Sequence, residues 1–225
     1  MTEFVNAWLE RFPLQLPILW KSTVETLYMI SVSTALSLLL GFVGAVFMIL
    51  WNPHGLRPRP RVYLFLDGLV NLTRSFPFAI LIISIRPITR WVVGTTIGNE
   101  ATIFPLTIAA IPFAARLIEA SLLEVDKGVV EAARSFGAGD FPIILRVMLP
   151  EALPSIILNI SVLAISLLGY SAMAGMVGGG GLGALAIAYG YQRFQTDMML
   201  YCILILLVLV QVMQSSSNYA YKRLR

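Results

Sequence analysis

TLYMISVSTALSLLLGFVGAVFMIL, residues Thr26 to Leu50, contains no Asp, Glu, Lys or Arg. A helix needs about 20 mostly apolar residues to cross the hydrocarbon core of a bilayer, so this stretch is long enough to span. Two more charge-free runs follow, Ala152 to Gln192 and Met198 to Tyr221. Two others are interrupted. Val62 to Ile85 holds Asp67 and Arg74, and Ala101 to Ala115 leads into Arg116 and Glu119. Beside three uninterrupted runs these also read as spans. The expected fold is all-α: a polytopic membrane helix bundle of about five transmembrane helices, near 22–50, 62–86, 101–121, 152–175 and 198–221.

Composition agrees. Of 225 residues, 58% are hydrophobic and 12% charged, and the mean hydropathy is +0.82. Soluble domains carry about 25% charged residues, so a water-soluble enzyme is excluded, as is a disordered chain. The length suits one domain, 1–225. With Cys202 as the lone cysteine and His54 as the lone histidine, there is no internal disulfide, no metal site and no catalytic triad to expect. No catalytic residue and no cofactor held by this chain are expected. The basic loops are too short and too close to lipid for nucleic acid. The first ten residues carry Glu3 and Glu10 and no basic cluster, and the apolar run after them is too long for a signal peptide, so Thr26–Leu50 reads as retained.

Five spans put the termini on opposite sides. With the N-terminus outside, inside segments hold ten basic residues (Arg57, Arg59, Arg61, Arg116, Lys127, Arg134, Arg146, Lys222, Arg223 and Arg225). Outside segments hold five: Arg11, Lys21, Arg86, Arg90 and Arg193. The positive-inside rule therefore favours N-outside, C-inside. The turn Asn52 to Arg61 becomes an inside loop, stiffened by proline and held at anionic headgroups by its arginines.

The cytoplasmic loop 122–151 has a helical grammar of its own. Val125, Val129, Ala132, Ala133 and Phe136 recur at spacings of three and four, one apolar face of a helix over 122–136. Glu124–Lys127 and Glu131–Arg134 are spaced as i,i+3 ion pairs. Gly137 is a helix stop. Asp140 is a candidate N-cap for a second helix, with Pro142 in its first turn and Ile143, Ile144, Val147 and Met148 on its apolar face. Leu149-Pro150 is expected to end it. On the residues alone, a helix–glycine–helix elbow and a plain interfacial hairpin both fit.

Glu131-Ala132-Ala133, three residues, Gly137, nine residues, then Val147-x-Leu149-Pro150 resembles the EAA motif of bacterial ABC importer permeases, with valine where isoleucine is usual. Leu72 to Phe78, Pro105 to Phe113, Gly169 to Gly175, Val177 to Gly183 and Tyr189 to Gln192 are similar to the methionine-importer branch of that family, although the charged residues that some of its members carry near Ala184 and Ala188 are absent. The resemblance implies a permease subunit translocating methionine or a related amino acid by alternating access. Glu131, Ala132, Ala133, Gly137, Leu149 and Pro150 would form the coupling elbow. Two ATP-binding cassette subunits would carry ATP and magnesium. An extracytoplasmic substrate-binding lipoprotein would deliver the substrate, and the permease would be a homodimer in the bacterial cytoplasmic (inner) membrane.

Candidate pathway residues are Ser75, Ser171, Met173, Gly175 and Gly179. The run Gly178 to Gly183 lacks the Gly-Lys-Ser/Thr ending of a nucleotide loop. Gly175, Gly179 and Gly183 recur every four residues, the spacing for close backbone approach or a broken helix at membrane depth. Met173 can close a pore against its twin across a dimer axis, or simply pack in a core. Arg74 has Asp67 as a distant candidate partner. Arg116–Glu119 reads as a snorkelling pair. Two other classes stay open. An ion-gradient-driven secondary transporter or channel would place ionisable relays at mid-membrane. A membrane scaffold would use the elbow only to recruit a partner.

Overall fold

The computed structural model describes residues 2–224, with side-chain surroundings from residue 12 onward. The side chains of Glu3, Glu10 and Arg11, and residue Arg225, counted above, lie outside the described residues. Every regular element among the described residues is helical. The main ones are α1 (Thr2–Trp51), α2 (Pro60–Ser75), α3 (Phe78–Ser84), α4 (Arg86–Val93), α5 (Asn99–Leu123) and α6 (Lys127–Ser135). They are followed by α7 (Asp140–Ile143), α8 (Leu149–Ala174), α9 (Gly181–Leu185) and α10 (Thr196–Leu224). Among the described residues, four helices are long and apolar enough to cross a membrane, and counting α2 and α3 as one broken span gives five. The break is at Phe76-Pro77. Proline disfavours helical backbone in the residue before it, and Phe76 is extended at φ −74°, ψ 122°.

The chain forms two compact units: residues 1–33, 78–106 and 166–212, and residues 34–77, 107–165 and 213–225. The first has a small core in which Leu19 meets Leu182, Leu185, Met198, Tyr201 and Cys202.

The second unit carries the elbow. Its core takes Ala45 and Ile49 from α1, Ile118 and Leu122 from α5, and Ile144, Met148, Ala152 and Ile156 from the α7–α8 segment. Residues four apart share a helix face, so each helix turns one apolar row inward. The last row runs straight through a π-helical turn at Ile144–Met148, where the Leu149 amide donates to the Ile144 carbonyl. Leu149-Pro150 therefore does not end the helix as expected. Pro150 has no amide proton, and its ring would crowd the Arg146 carbonyl four residues back. The wider turn accommodates it. At Gly41 a Cβ would lie 2.7 Å from Ala114 Cβ and 2.9 Å from the Ala115 nitrogen, so α1 and α5 touch nearly backbone to backbone.

The expected snorkelling pair is instead the centre of a buried network. Glu119 is 1% exposed. Arg116 donates to it at 2.8 Å, and the Asn52 side-chain amide donates to its other oxygen at 3.0 Å. Arg116 also pairs with Asp67 and donates to the Tyr63 hydroxyl at 3.3 Å. Asp67 is thus taken by Arg116, not by Arg74, which lies over the Phe113 ring at 5.0 Å. A buried carboxylate persists only when its oxygens are satisfied, and sequence spacing did not show Asn52 arriving from the end of α1. Glu119→Leu is expected to destabilise the protein by about 3 kcal/mol, the lower end for breaking a buried pair, because Arg116 keeps Asp67. Glu119→Gln, which retains an acceptor for Asn52, is expected to lower the detergent-solubilised Tm by clearly less.

Candidate functional site

α6 begins where Asp126 turns its carboxylate onto the Gly128 amide at 2.7 Å, an N-cap. It ends in a double closure. The Gly137 amide donates to the Arg134 carbonyl at 2.8 Å, and the Ala138 amide to the Ala133 carbonyl at 3.2 Å. These are the two bonds of a Schellman motif, which needs left-handed backbone at the glycine. Gly137 has φ +81°, and a Cβ there would meet nothing within 4 Å, so the demand is on the backbone angle rather than on space. Ala133 and Ala138, joined by the second bond, both pack on the core of their unit. The spacing from Ala133 to Gly137 is the length of this closure.

The face of α6 differs from expectation. Val130 and Ala133 turn inward, while Val129 is 42% and Phe136 92% exposed, and Ala132 is exposed too. The helix starts only at Lys127, so Val125 lies before it and does not set its register. The same break parts Glu124 from Lys127, and Glu124 accepts from Ser155 at 2.6 Å. Asp140 is the first residue of α7, and Gly139 holds the cap position. Arg134 donates to the Leu56 carbonyl and lies 3.8 Å from Asp140, which also pairs with Arg57. The elbow is thereby tied to the loop after α1. Glu131 is exposed and lines, with Arg134, His54 and Val130, a cleft of about 390 Å³. Leu149 is half-buried and Pro150 exposed at the start of α8. Phe141, which the sequence reading passed over, is 58% exposed. The elbow thus leaves Val129, Phe136 and Phe141 exposed.

The first unit holds Ser171, Met173, Gly175 and Gly179; Ser75 belongs to the second. Helix α8 stops at Ala174, a tight turn spans Gly175–Val177, and α9 starts at Gly181. A Cβ on Gly175 would fall 2.4 Å from the Ala184 nitrogen, and one on Gly183 2.3 Å from Ala172 Cα. The two helices therefore meet backbone on backbone. The freed amides of α9 are capped from α1: Gly181 donates to Glu25 at 3.0 Å and Leu182 to the Thr26 hydroxyl at 2.8 Å. Sequence reading used Glu25 and Thr26 only to mark where a charge-free run begins. A lone carboxylate at the edge of a span was the available signal. Ser171 is buried and donates to the Leu168 carbonyl, and Ser75 donates to the Asn71 carbonyl, both at 2.8 Å. Met173 and Met176 are 46% and 70% exposed beside the turn.

The family model "Binding-protein-dependent transport system inner membrane component" matches residues 37–225. The "Probable D-methionine transport system permease protein MetI" of Vibrio cholerae serotype O1 is 45% identical, over 94% of both chains. The "Methionine import system permease protein MetP" of Bacillus subtilis is 41% identical, over 87% of this chain and 88% of that one. Among solved structures, "Inward facing conformations of the MetNI methionine ABC transporter" superposes with a TM-score of 0.91 at 36% identity, covering 94% of this chain and 98% of that one. The chain belongs to the family of binding-protein-dependent transport system inner membrane components, and is a multi-pass membrane permease.

Proposed function

We propose that this chain is the permease subunit of an ATP-driven importer for methionine or a related amino acid, working by alternating access. The observation that carries the coupling half of this reading is the elbow. A Schellman-closed helix holds Glu131, Ala132 and Phe136 at the surface, within reach of a partner. The substrate half rests on the relatives, several of which are named for methionine transport.

In this reading two copies of the chain form the pathway, since five spans make a thin wall alone. Each elbow docks through Glu131, Ala132, Ala133 and Gly137 on an ATP-binding cassette subunit, and Leu149 and Pro150 join the elbow to α8. ATP and magnesium belong to that subunit. An extracytoplasmic binding protein delivers substrate. ATP binding draws the elbows together and opens the path outward, and hydrolysis resets it. The permease makes no bond. It contributes two arrangements whose balance the ATPase biases. Residues 1–225 act as one transmembrane domain, with spans near 22–50, 62–86, 101–121, 152–175 and 198–221 and loop 122–151 in the cytoplasm. The N-terminus faces outward. Ser75, Ser171, Met173, Gly175 and Gly179 mark the pathway, with Met173 as its gate. An ion-driven transporter fits less well, because the family match points elsewhere and Asp67 and Glu119 are both ion-paired with Arg116. Recruitment by a mere scaffold leaves that family match unexplained.

Glu131→Arg and Gly137→Trp are expected to abolish substrate stimulation of ATP hydrolysis in proteoliposomes holding all subunits, leaving the basal rate within about twofold. Unchanged stimulation in both sinks the coupling role. A Glu131→Cys variant in a Cys202→Ser background should react with a membrane-impermeant maleimide only in inverted vesicles. In the same background, Met173→Cys should form a symmetric disulfide between copies; its absence from oxidised membranes argues against a gate at a dimer axis.

A further inference from the structure

In the run Gly178 to Gly183 only Leu182 is not glycine. Leu182 is fully buried in the core of the first unit with Leu19 and Tyr201, but the residues before it have no side chain with which to pack. Their neighbours place them instead. Polar groups of two helices stand where the missing side chains would be. A Cβ on Gly181 would fall 2.5 Å from Thr26 Oγ1 of α1. From the start of α5, Asn99 Oδ1 occupies the place of a Cβ on Gly180, and Thr102 Oγ1 would lie 2.8 Å from one on Gly179.

Hydrogen bonds fasten the run at both ends. The Gly178 carbonyl accepts from the amide of Gly98, the residue before α5, at 2.9 Å. The Gly181 and Leu182 amides go to Glu25 and Thr26 of α1. One end is thus held by α5 and the other by α1, and the run ties the two helices together at this level. Just beyond it, Ala172 and Gly175, on either side of Met173, lie directly against Gly183 and Ala184.

The nature of these ties matters. Segments held by hydrogen bonds, with few buried apolar contacts of their own, are the ones that open locally. The bond from Gly181 to Glu25 has a carboxylate as acceptor, which makes it the strongest of the three. Glu25 is also half-buried, whereas Thr26 is buried and donates to the Ser22 carbonyl at 2.9 Å within its own helix. Glu25 can therefore exchange its amide for water, and Thr26 cannot.

We propose that the glycine run is a latch between α1 and α5, and that Glu25 is the positioning residue that keeps it shut. While Glu25 caps Gly181 the two helix ends stay together, and its release lets them part. The latch is a property of this chain alone. That its release opens the path beside Met173 rests on the transport reading above.

The full-length chain in lipid nanodiscs is read in two ways. Deuterium exchange of a peptide covering 178–185 is expected to rise roughly tenfold with Glu25→Ala, the scale of one hydrogen bond to a charged group. With Glu25→Gln, which keeps an acceptor, it should stay within about twofold of the parent. Peptides around Tyr201 should not change. Spin labels at Lys21→Cys and Glu100→Cys in a Cys202→Ser background, diluted with excess unlabelled chain, report the separation of α1 and α5. One distance is expected in the parent, and a second, longer population with Glu25→Ala. Should that variant fold poorly, Thr26→Val, which removes the cap on Leu182, takes its place in both readings. Parent-like exchange at 178–185, a rise shared by the Tyr201 peptides, equal exchange in Glu25→Gln and Glu25→Ala, or an unchanged label distance would each overturn the proposal. Neither reading needs substrate or an ATPase, so failure of the latch and failure of the importer reading are told apart.

Discussion

In hydrocarbon a backbone amide or a side-chain charge has no water to turn to, and each must find its partner inside the protein. Most of the chain meets this condition with uninterrupted helices. The informative places are the interruptions. Where α8 breaks at the glycines, the amides of α9 receive Glu25 and Thr26 from α1. Glu119, buried in the second unit, takes Arg116 and Asn52, and the half-buried Asp67 takes Arg116 and Asn71. Each interruption is thereby also a tie between segments distant in sequence. The polar residues of this membrane chain pin helices to one another while the apolar rows fill the space between.

The elbow follows a related logic outside the bilayer. Its end is set by a glycine whose positive φ lets two amides close back on Arg134 and Ala133. Those bonds satisfy carbonyls that a free helix end leaves open. Because Ala133 and Ala138 also pack on the core, the closure orients the helix as well as ending it. A rigid link of this kind can transmit a push, which a flexible loop cannot. The π turn at Ile144–Met148 then carries the inward stripe into α8 without a break.

Much of this was readable without coordinates. Charge-free length marked the membrane class, because transfer of charge into hydrocarbon is costly whatever the fold. The Glu131 to Pro150 spacing pointed to the elbow, because a Schellman end depends on local backbone angles. The register of α6 was misread for a definite reason. Spacing grouped Val129 and Phe136 with Ala133, yet packing on the core takes Val130 and Ala133 inward and leaves Val129 and Phe136 exposed. Pro150 was taken as a stop because propensity describes α-helix, and a π turn was outside its terms. Arg116–Glu119 was taken as an interfacial pair because a span's end is usually wet. Only packing brought Asn52 and Asp67 to it.

The amino-acid sequence by itself determined the helical membrane class, the glycine that ends α6 and the family motif, which depend on composition, on adjoining residues or on spacing along the single stretch from Glu131 to Pro150. The tertiary structure alone decided the meeting of Glu119 with Asn52 and the capping of α9 by Glu25 and Thr26. Each of those joins segments tens of residues apart, and which segments meet is settled by how apolar rows pack, a property of the whole bundle that no local pattern encodes.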